Sequence, residues 1–224
     1  MSYDKKQIMV IDPATRTAEL DCYNTIASSS TIPTSYHLPA IYGMDSILAI
    51  PQHLIAGIIM FGSGCSVYDN LSWHTDLNHW FKDIMEQEIP VLGCCYGHQL
   101  IAYLYKSKID FATKEEYKFK GTRKVSIVED QRLKIKASTL NLIVSHNEVI
   151  TTLPEGFEIW GSSDITPFDG IRHTKLPIWS LQAHPEATAG FMKNQEINHN
   201  NAKQPYKDGH FVVNKFIKYV TSFL

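Results

Sequence analysis

The chain has 224 residues, of which 44% are apolar and 20% charged, and its formal net charge is −2. This length suits one globular domain with a full hydrophobic core, or two small ones. The near-neutral charge disfavours a nucleic-acid-binding protein, which usually presents a basic surface. The longest apolar run, residues 54–61, is far shorter than the roughly 20 residues that cross a bilayer. No signal-peptide pattern precedes the first apolar run, so we expect a cytoplasmic globular protein.

The cysteine pattern predicts a free thiol with a chemical role. Four cysteines in a chain of this length are too few for a disulfide framework. The sequence has no Cys-x-x-Cys pair and no two histidines four residues apart, which are the usual spacings of metal ligands. We therefore expect neither a metal site nor a bound cofactor.

The first half of the chain alternates predicted strands and helices. Three short apolar runs predict parallel strands that are buried on both faces: residues 7–11, 57–61 and 91–92. Over residues 76–88 the apolar positions recur with helical spacing, and Pro90 ends this amphipathic helix. A tight turn at residues 93–97 leads into another helix. This order predicts an α/β protein with an open, mostly parallel sheet and helices on both faces.

The second half has a different pattern. Apolar and polar residues alternate over three stretches, which predicts half-exposed, partly antiparallel strands: residues 125–135, 142–145 and 157–160. A buried strand is predicted over residues 178–182 and a helix over 211–224. Residues 15–44 carry no readable pattern, and residues 194–204 are predicted to form a flexible loop. Because no linker or repeat interrupts the pattern, we expect a single domain over residues 1–224.

The segment Gly93-Cys94-Cys95-Tyr96-Gly97 is a Gly-x-Cys-x-Gly turn between a strand and a helix. It is the thiol counterpart of the Gly-x-Ser-x-Gly nucleophile elbow. The start of the following helix favours a thiolate at Cys95, and the N–H of Tyr96 can meet a developing oxyanion. The pentapeptide alone is equally compatible with a structural turn that holds a buried cysteine.

The segment His184-Pro185-Glu186 follows the last predicted strand. Proline keeps the preceding residue extended, so His184 and Glu186 lie on the same side of the chain. Glu186 can then accept a proton from one ring nitrogen, and the other nitrogen can act as a base toward a cysteine. Three such residues could also form a plain surface turn, but their place downstream of the thiol turn favours catalysis.

The segment Gly62-Ser63-Gly64-Cys65-Ser66 leaves the carboxyl end of the second predicted strand. In a parallel sheet this loop opens at the same edge as the thiol turn. Its small residues expose backbone N–H groups, which suits a second oxyanion donor. Sequences of this kind are also common in ordinary turns.

In this order, the segments resemble the class I (triad) glutamine amidotransferases. Residues 57–67 resemble the family's oxyanion strand and loop, and residues 90–99 its Gly-[Ile/Val]-Cys-x-Gly-x-Gln elbow. Residues 145–149 (Ser-His-Asn-Glu-Val) are similar to a segment of the GMP-synthetase-like branch, and residues 179–186 match the closing Gln-Phe-His-Pro-Glu signature. The resemblance covers residues 57–186 and implies a flavodoxin-like sheet.

Carried over by position, the resemblance makes Cys95 the nucleophile, His184 the general base and acid, and Glu186 the residue that orients His184. The backbone N–H groups of Ser63 and Tyr96 would form the oxyanion hole. Four residues would contact the substrate: Gly62, Gln99, Ser145 and His146.

The resemblance implies hydrolysis of the side-chain amide of glutamine through a glutamyl thioester, with ammonia released to a separate synthetase subunit or another acceptor. Two alternatives remain open. A γ-glutamyl peptide or conjugate hydrolase would use the same triad, and Ala183, where the family usually has Phe, would leave room for a bulkier substrate. A catalytically silent binding or regulatory relative is the other alternative.

Other departures from the family pattern concern the oxyanion loop. Ser63 and Gly64 stand where the second glycine and the proline are usual. Cys65 lies in the loop that faces Cys95, and one hypothesis is that the two thiols form an inactivating disulfide. The alternative is that Cys65 only fills a permissive loop position.

Overall fold

The computed structural model describes residues 5–198 and 202–224. Within these residues eleven strands are seen: Gln7–Ile11 (β1), Thr34–His37 (β2), Ile55–Met60 (β3), Val91–Cys94 (β4), Ile109–Phe111 (β5), Phe119–Ile127 (β6), Ser138–His146 (β7), Glu148–Ile150 (β8), Phe157–Ser162 (β9), Gly170–His173 (β10) and Ile178–Leu181 (β11). The same part of the chain contains seven α-helices: Leu20–Ser29 (α1), Pro39–Tyr42 (α2), Asp45–Leu48 (α3), Ser72–Glu86 (α4), Tyr96–Leu104 (α5), Ala189–Asn194 (α6) and Lys203–Thr221 (α7).

One large sheet has the strand order β2-β1-β3-β4-β11-β10-β9-β6-β7. Neighbouring strands from β2 to β11 pair in parallel, and those from β11 to β7 pair antiparallel. Strands β5 and β8 form a separate antiparallel pair. The predicted fold class is confirmed: the sheet is mixed, parallel at its core, and extended by antiparallel strands. The carboxyl ends of β1, β3, β4 and β11 meet at one edge.

The sheet separates two apolar layers. Ile8 and Val10 of β1 face the layer that contains α1 and α7, whereas Met9 and Ile11 face the layer that contains α4 and α5. All five residues of β1 are buried. A strand with both faces covered needs apolar residues at successive positions, which explains its continuous apolar run.

The helix predicted over residues 76–88 is α4, which begins four residues earlier and ends at Glu86. Glu88 has a φ of +60°, so the chain leaves helical geometry before Pro90. The predicted C-terminal helix is α7, which begins at Lys203, eight residues earlier than expected. Pro205 stands in its first turn, where the missing N–H is not needed for helical hydrogen bonding.

The prediction that residues 125–135 form a strand is wrong after Ile127, where β6 ends. Asp130 and Ile135 exchange backbone hydrogen bonds of 2.8 and 2.9 Å, and the N–H of Leu133 donates to Asp130 Oδ1 at 2.8 Å. These bonds close a turn. Leu133 and Ile135 are nevertheless buried, so their alternation reflects a turn that directs both side chains into the core.

Residues 15–44, for which the sequence predicted no element, contain α1, β2 and α2. The loop predicted over residues 194–204 begins at the end of α6 and runs into α7, and its residues 199–201 lie outside the described part of the chain. That residues 1–224 form one domain stays a prediction. No helix among residues 5–198 and 202–224 has both the length and the apolar character needed to cross a membrane.

Candidate active site

Cys95 lies on the turn between β4 and α5 with φ +49° and ψ −100°, a conformation that non-glycine residues rarely adopt. Its N–H donates to the carbonyl oxygen of Leu181 at 2.9 Å, which ties the turn to β11. A Cβ on Gly97 would lie 2.6 Å from Met60 O, and one on Gly93 would lie 2.7 Å from a side-chain carbon of α5. The turn is therefore so tight that both glycines are required, as the Gly-x-Cys-x-Gly pattern predicts.

His184 and Glu186 follow β11 and are joined by a hydrogen bond of 2.8 Å between Nδ1 and Oε1. Their side chains are only 5% and 1% exposed. Burial by itself would lower the pKa of His184, but the negative charges of the Cys95 thiolate and the Glu186 carboxylate outweigh it and raise this pKa. The bond to Glu186 uses Nδ1 and leaves Nε2 for proton exchange with Cys95.

The Cys95 sulfur lies among polar groups. Sγ is 4.0 Å from the carbonyl oxygen of Ser145 and 3.7 Å from Nε2 of Gln182, which donates to it. Gln182 is fully buried and is absent from the predicted site. Gln182 lies two residues before His184, and alternation puts these two side chains on one side of the chain, so the proximity of Gln182 to the site could be predicted from the sequence. Residues 185 and 186 form a turn closed by a bond of 3.1 Å from the N–H of Ala187 to His184 O, so the extended geometry expected for this segment is wrong.

Gly62 packs directly on the pair of Cys95 and His184. A Cβ at this position would lie 2.5 Å from His184 Cε1 and 3.4 Å from Cys95 Cβ. The next residue, Ser63, donates its hydroxyl to Pro13 O at 2.7 Å, which ties the loop to the end of β1. Tyr96 is the first residue of α5, where a backbone N–H has no intrahelical acceptor. Ser63 thus lies in the loop that packs on the thiol turn, and Tyr96 lies in the turn itself.

Gln99 and His146 lie behind the sulfur and are 4% exposed each. Nε2 of Gln99 and Nδ1 of His146 both donate to the carbonyl oxygen of Glu148, at 2.8 and 3.0 Å. Burial, followed by the nearby charge of Arg123, lowers the pKa of His146 to about 3, so this ring is neutral. Both side chains bind the protein's own backbone rather than the cavity.

A cavity of about 380 Å³ opens beside His184 and Glu186. One wall carries predicted site residues: Gly62, Ser63, Ser145, His184 and Glu186. Another wall is formed by residues 14–17, Glu19 and the end of α6, and the exposed Lys118 also lines the cavity. Glu19 accepts a hydrogen bond of 3.1 Å from Asn194, which joins the two parts of that wall. Ser145 donates to Gln195 Oε1 at 3.1 Å.

Ala183 does not line this cavity. It is fully buried within the apolar layer beside α7 and α6. The expectation that it enlarges the pocket is therefore wrong, because the chain direction at β11 turns residue 183 toward the core while its neighbours 182 and 184 face the site.

The thiols of Cys65 and Cys95 have different neighbours. Cys65 Sγ lies 3.0 Å from Ser63 Oγ and 3.7 Å from His74 Nε2. Burial raises the pKa of the Cys65 thiol. Both cysteines are free, and the proposed disulfide between them stays a hypothesis. In the part of the chain that the structure describes, no three His, Cys, Asp or Glu side chains gather in a way that could hold a metal ion.

Comparisons with known proteins identify the family. The family model for class-I glutamine amidotransferases matches residues 20–203. GMP synthase [glutamine-hydrolyzing] of Lactococcus lactis subsp. cremoris is 34% identical over 131 residues, covering 58% of this chain and 24% of the relative. The protein of the same name from Schizosaccharomyces pombe is 31% identical over 186 residues, covering 78% of this chain and 33% of the relative. The chain thus spans a quarter to a third of these curated relatives.

Solved structures share the fold. A glutamine amidotransferase from Thermotoga maritima superposes with a TM-score of 0.76 at 15% identity, covering 96% of this chain and 98% of that one. A glutamine amidotransferase from Methylobacillus flagellatus gives a TM-score of 0.69 at 17% identity, with coverage of 98% and 94%. The fold, the thiol turn and the family match together make this chain a member of the class-I glutamine amidotransferase family.

Proposed function

We propose that the protein hydrolyses the side-chain amide of glutamine with Cys95, His184 and Glu186 and releases ammonia. The observation that carries the proposal is a cysteine on a strained strand–helix turn beside a buried His–Glu pair joined at 2.8 Å. The names of the GMP synthase relatives, which are glutamine-hydrolysing, support the same reaction.

In this mechanism the Cys95 thiolate attacks the amide carbon, and the C–O double bond opens to an oxyanion held by the N–H groups of Ser63 and Tyr96. The His184 imidazolium gives its proton to the departing nitrogen, so ammonia leaves and a glutamyl thioester remains. Water then gives a proton to His184 and attacks the thioester, and glutamate leaves as the thiolate reforms. Glu186 holds the ring so that Nε2 faces the reacting groups.

The four predicted substrate residues take two kinds of role in this proposal. Gly62 and Ser145 line the cavity and contact the glutamyl part directly. Gln99 and His146 act through the backbone around Glu148, because their side chains are engaged there. A synthetase of the GMP synthase type, as a domain or a separate subunit, is the proposed acceptor of ammonia. We place the protein in the cytoplasm, where reducing conditions suit its free cysteines.

The test is release of glutamate and ammonia from L-glutamine by the purified protein, with Cys95→Ser and Cys65→Ser as a matched pair of thiol variants. We expect turnover on the order of 1 s⁻¹ or faster, abolished only in Cys95→Ser. A γ-glutamyl chloromethyl ketone should label Cys95 in the same preparation. Absence of both turnover and labelling in the wild type would refute the proposal and favour a catalytically silent relative.

A γ-glutamyl peptide or conjugate is the second candidate substrate. The cavity extends from the triad to the exposed cations Arg16 and Lys118, which could meet an anionic group beyond the glutamyl part. Comparing kcat/KM for γ-glutamyl dipeptides with that for glutamine decides between the two substrates. A preference for the dipeptides that is lost in Arg16→Ala would favour this candidate.

A further inference from the structure

A buried ion pair lies behind the segment that joins β7 and β8. Arg123 Nη1 donates to Asp169 Oδ1 at 2.8 Å, and these side chains are 8% and 0% exposed. The other terminal nitrogen, Nη2, donates to Nε2 of His146 at 2.8 Å. Since a guanidinium can only donate, Nε2 must be the acceptor and the ring proton must lie on Nδ1, which donates to Glu148 O. The ion pair therefore fixes one tautomer of His146.

The same carbonyl of Glu148 fixes the side-chain amide of Gln99. A carbonyl oxygen only accepts, so the NH₂ group of Gln99 must face it, at 2.8 Å. This NH₂ group also donates to Gln182 Oε1 at 3.3 Å, which turns the NH₂ group of Gln182 toward the Cys95 sulfur at 3.7 Å. The backbone N–H of Gln182 donates to Asp169 O at 2.7 Å, so the chain of bonds returns to the ion pair.

The direction of this last bond matters for the chemistry. A donor N–H stabilises a thiolate, whereas the reversed amide would place an oxygen lone pair against the negative sulfur. Neither amide is free to reverse in this buried site: a reversed Gln99 would place its oxygen against the Glu148 carbonyl oxygen, and a reversed Gln182 would place its NH₂ group against that of Gln99.

We propose that Gln182 is a catalytic residue that donates a hydrogen bond to the Cys95 thiolate, and that Arg123 is the positioning residue that holds, through His146, the Glu148 carbonyl on which Gln99 and then Gln182 are oriented. The inference rests on the proposed function in taking Cys95 as the nucleophile. It adds a fourth side chain to the three of the proposed triad, and it gives the buried Arg123–Asp169 pair a role in the reaction.

The decisive variant is Gln182→Glu. It keeps the length of the side chain and an oxygen for Gln99, but replaces the donor that faces Cys95 with a carboxyl oxygen. The readout is the rate constant for alkylation of Cys95 by iodoacetamide from about pH 5 to about pH 10, with the modified residue identified by mass spectrometry. We expect the midpoint of the rate profile to move up by about one pH unit or more. Values of kcat for glutamine should fall at least about tenfold with little change in KM, because Gln182 does not line the cavity.

The positioning role is tested with Arg123→Met and a control that removes a comparable pair elsewhere. Arg172 Nη1 lies 3.0 Å from the buried Asp130, and these side chains are 15% and 1% exposed. Arg172 lies toward the far end of β10, where it pairs with Trp179 of β11. Asp169, in contrast, directly precedes β10, at the edge of the sheet that carries the site. Arg123→Met should move the alkylation midpoint upward, and Arg172→Met should leave it unchanged.

A wild-type alkylation profile in a cooperatively folded Gln182→Glu variant would overturn the proposal. Gln182→Met, which also removes the donor, gives the same test if the glutamate variant does not fold. A midpoint that moves in Gln182→Glu but stays the same in Arg123→Met would overturn the positioning role of Arg123. Failure of the proposed function is separate: wild-type protein would then release no glutamate, while the variants would still alter alkylation of Cys95.

Discussion

Gly62→Ala is expected to disable the active site through one added carbon atom. The new Cβ would lie 2.5 Å from His184 Cε1, 3.3 Å from Nδ1 and 3.4 Å from Cys95 Cβ. Two carbon atoms in contact need about 3.5 Å, so the ring or the loop must move by about 1 Å. The ring is held by its bond of 2.8 Å to Glu186 and is almost fully buried, so little free space can absorb the shift.

The size of the effect follows from the geometry of proton transfer. A displacement of about 1 Å in a reacting group can cost about 100-fold in rate. That factor corresponds to about 2.7 kcal/mol of lost transition-state stabilisation. We therefore expect kcat/KM for glutamine to fall about 100-fold in Gly62→Ala.

The matched control is Gly64→Ala in the same loop. Its added Cβ would meet only Thr15 Oγ1, at the ordinary contact distance of 3.8 Å. Steady-state release of glutamate is measured for both variants beside the thermal unfolding midpoint, which separates a local from a global effect. If the Gly62 variant keeps kcat/KM within about threefold of the wild type, the packing of this loop on His184 does not limit catalysis and the reasoning fails.

Three further changes have defined outcomes. Glu186→Gln removes the carboxylate that helps to raise the pKa of His184. We therefore expect kcat to fall about 10²–10⁴-fold and the alkaline limb of the pH–rate profile to move to lower pH. An alkaline limb at the wild-type pH would contradict this role of Glu186. Burial lowers the pKa of His98 and of His146 to about 3 each, so the folded state resists protons that the unfolded state binds below about pH 6.5. These two rings should therefore contribute a loss of up to about 2.7 kcal/mol of unfolding free energy for each pH unit below about 6.5, and a urea-unfolding free energy that does not change between pH 7 and pH 5 would count against it. Thr188 caps α6, and Thr188→Ala should lower the free energy of unfolding by about 1 kcal/mol, whereas Thr188→Ser should restore most of it.

The sequence predicted the part of the fold that depends on local patterns. β1 is observed at the predicted residues 7–11, and β3, β4 and β11 at the apolar runs assigned to strands. Their parallel pairing brings the loop after β3, the turn after β4 and the segment after β11 to one edge. Each of these three loops carries its own small-residue or proline signature, so the site could be located before any distance was known.

The second wall of the cavity had no such signature. Asp12 is fully buried, and its carboxylate accepts the N–H groups of Ala14 and Glu19 at 3.0 and 2.8 Å. The hydroxyl of Tyr36 donates to the same carboxylate. A loop folded around one buried acid needs no apolar periodicity, so residues 15–19 gave no pattern to read.

The start of α7 was missed because local preference and tertiary packing disagree there. Pro205 and Gly209 both discourage a helix, and the prediction accordingly began at residue 211. A Cβ on Gly209 would lie 2.6 Å from the carbonyl oxygen of Pro185, so only glycine allows the helix to approach this closely. The residue that weakens α7 locally therefore supports the His184-Pro185-Glu186 segment.

Gln182 marks the limit of reasoning from spacing. Positions 182 and 184 share one side of the chain, so the proximity of Gln182 to the site follows from alternation alone. Its role does not, because an amide can present either its oxygen or its NH₂ group. The choice depends on Gln99, whose orientation depends on Glu148 O, and Arg123 holds that carbonyl in place through His146. These residues lie in separate elements. Hydrogen-bond direction is thus a property of the assembled core. Removing a member of this chain of bonds should destabilise the ionised form of Cys95 even where the residue removed does not touch the sulfur.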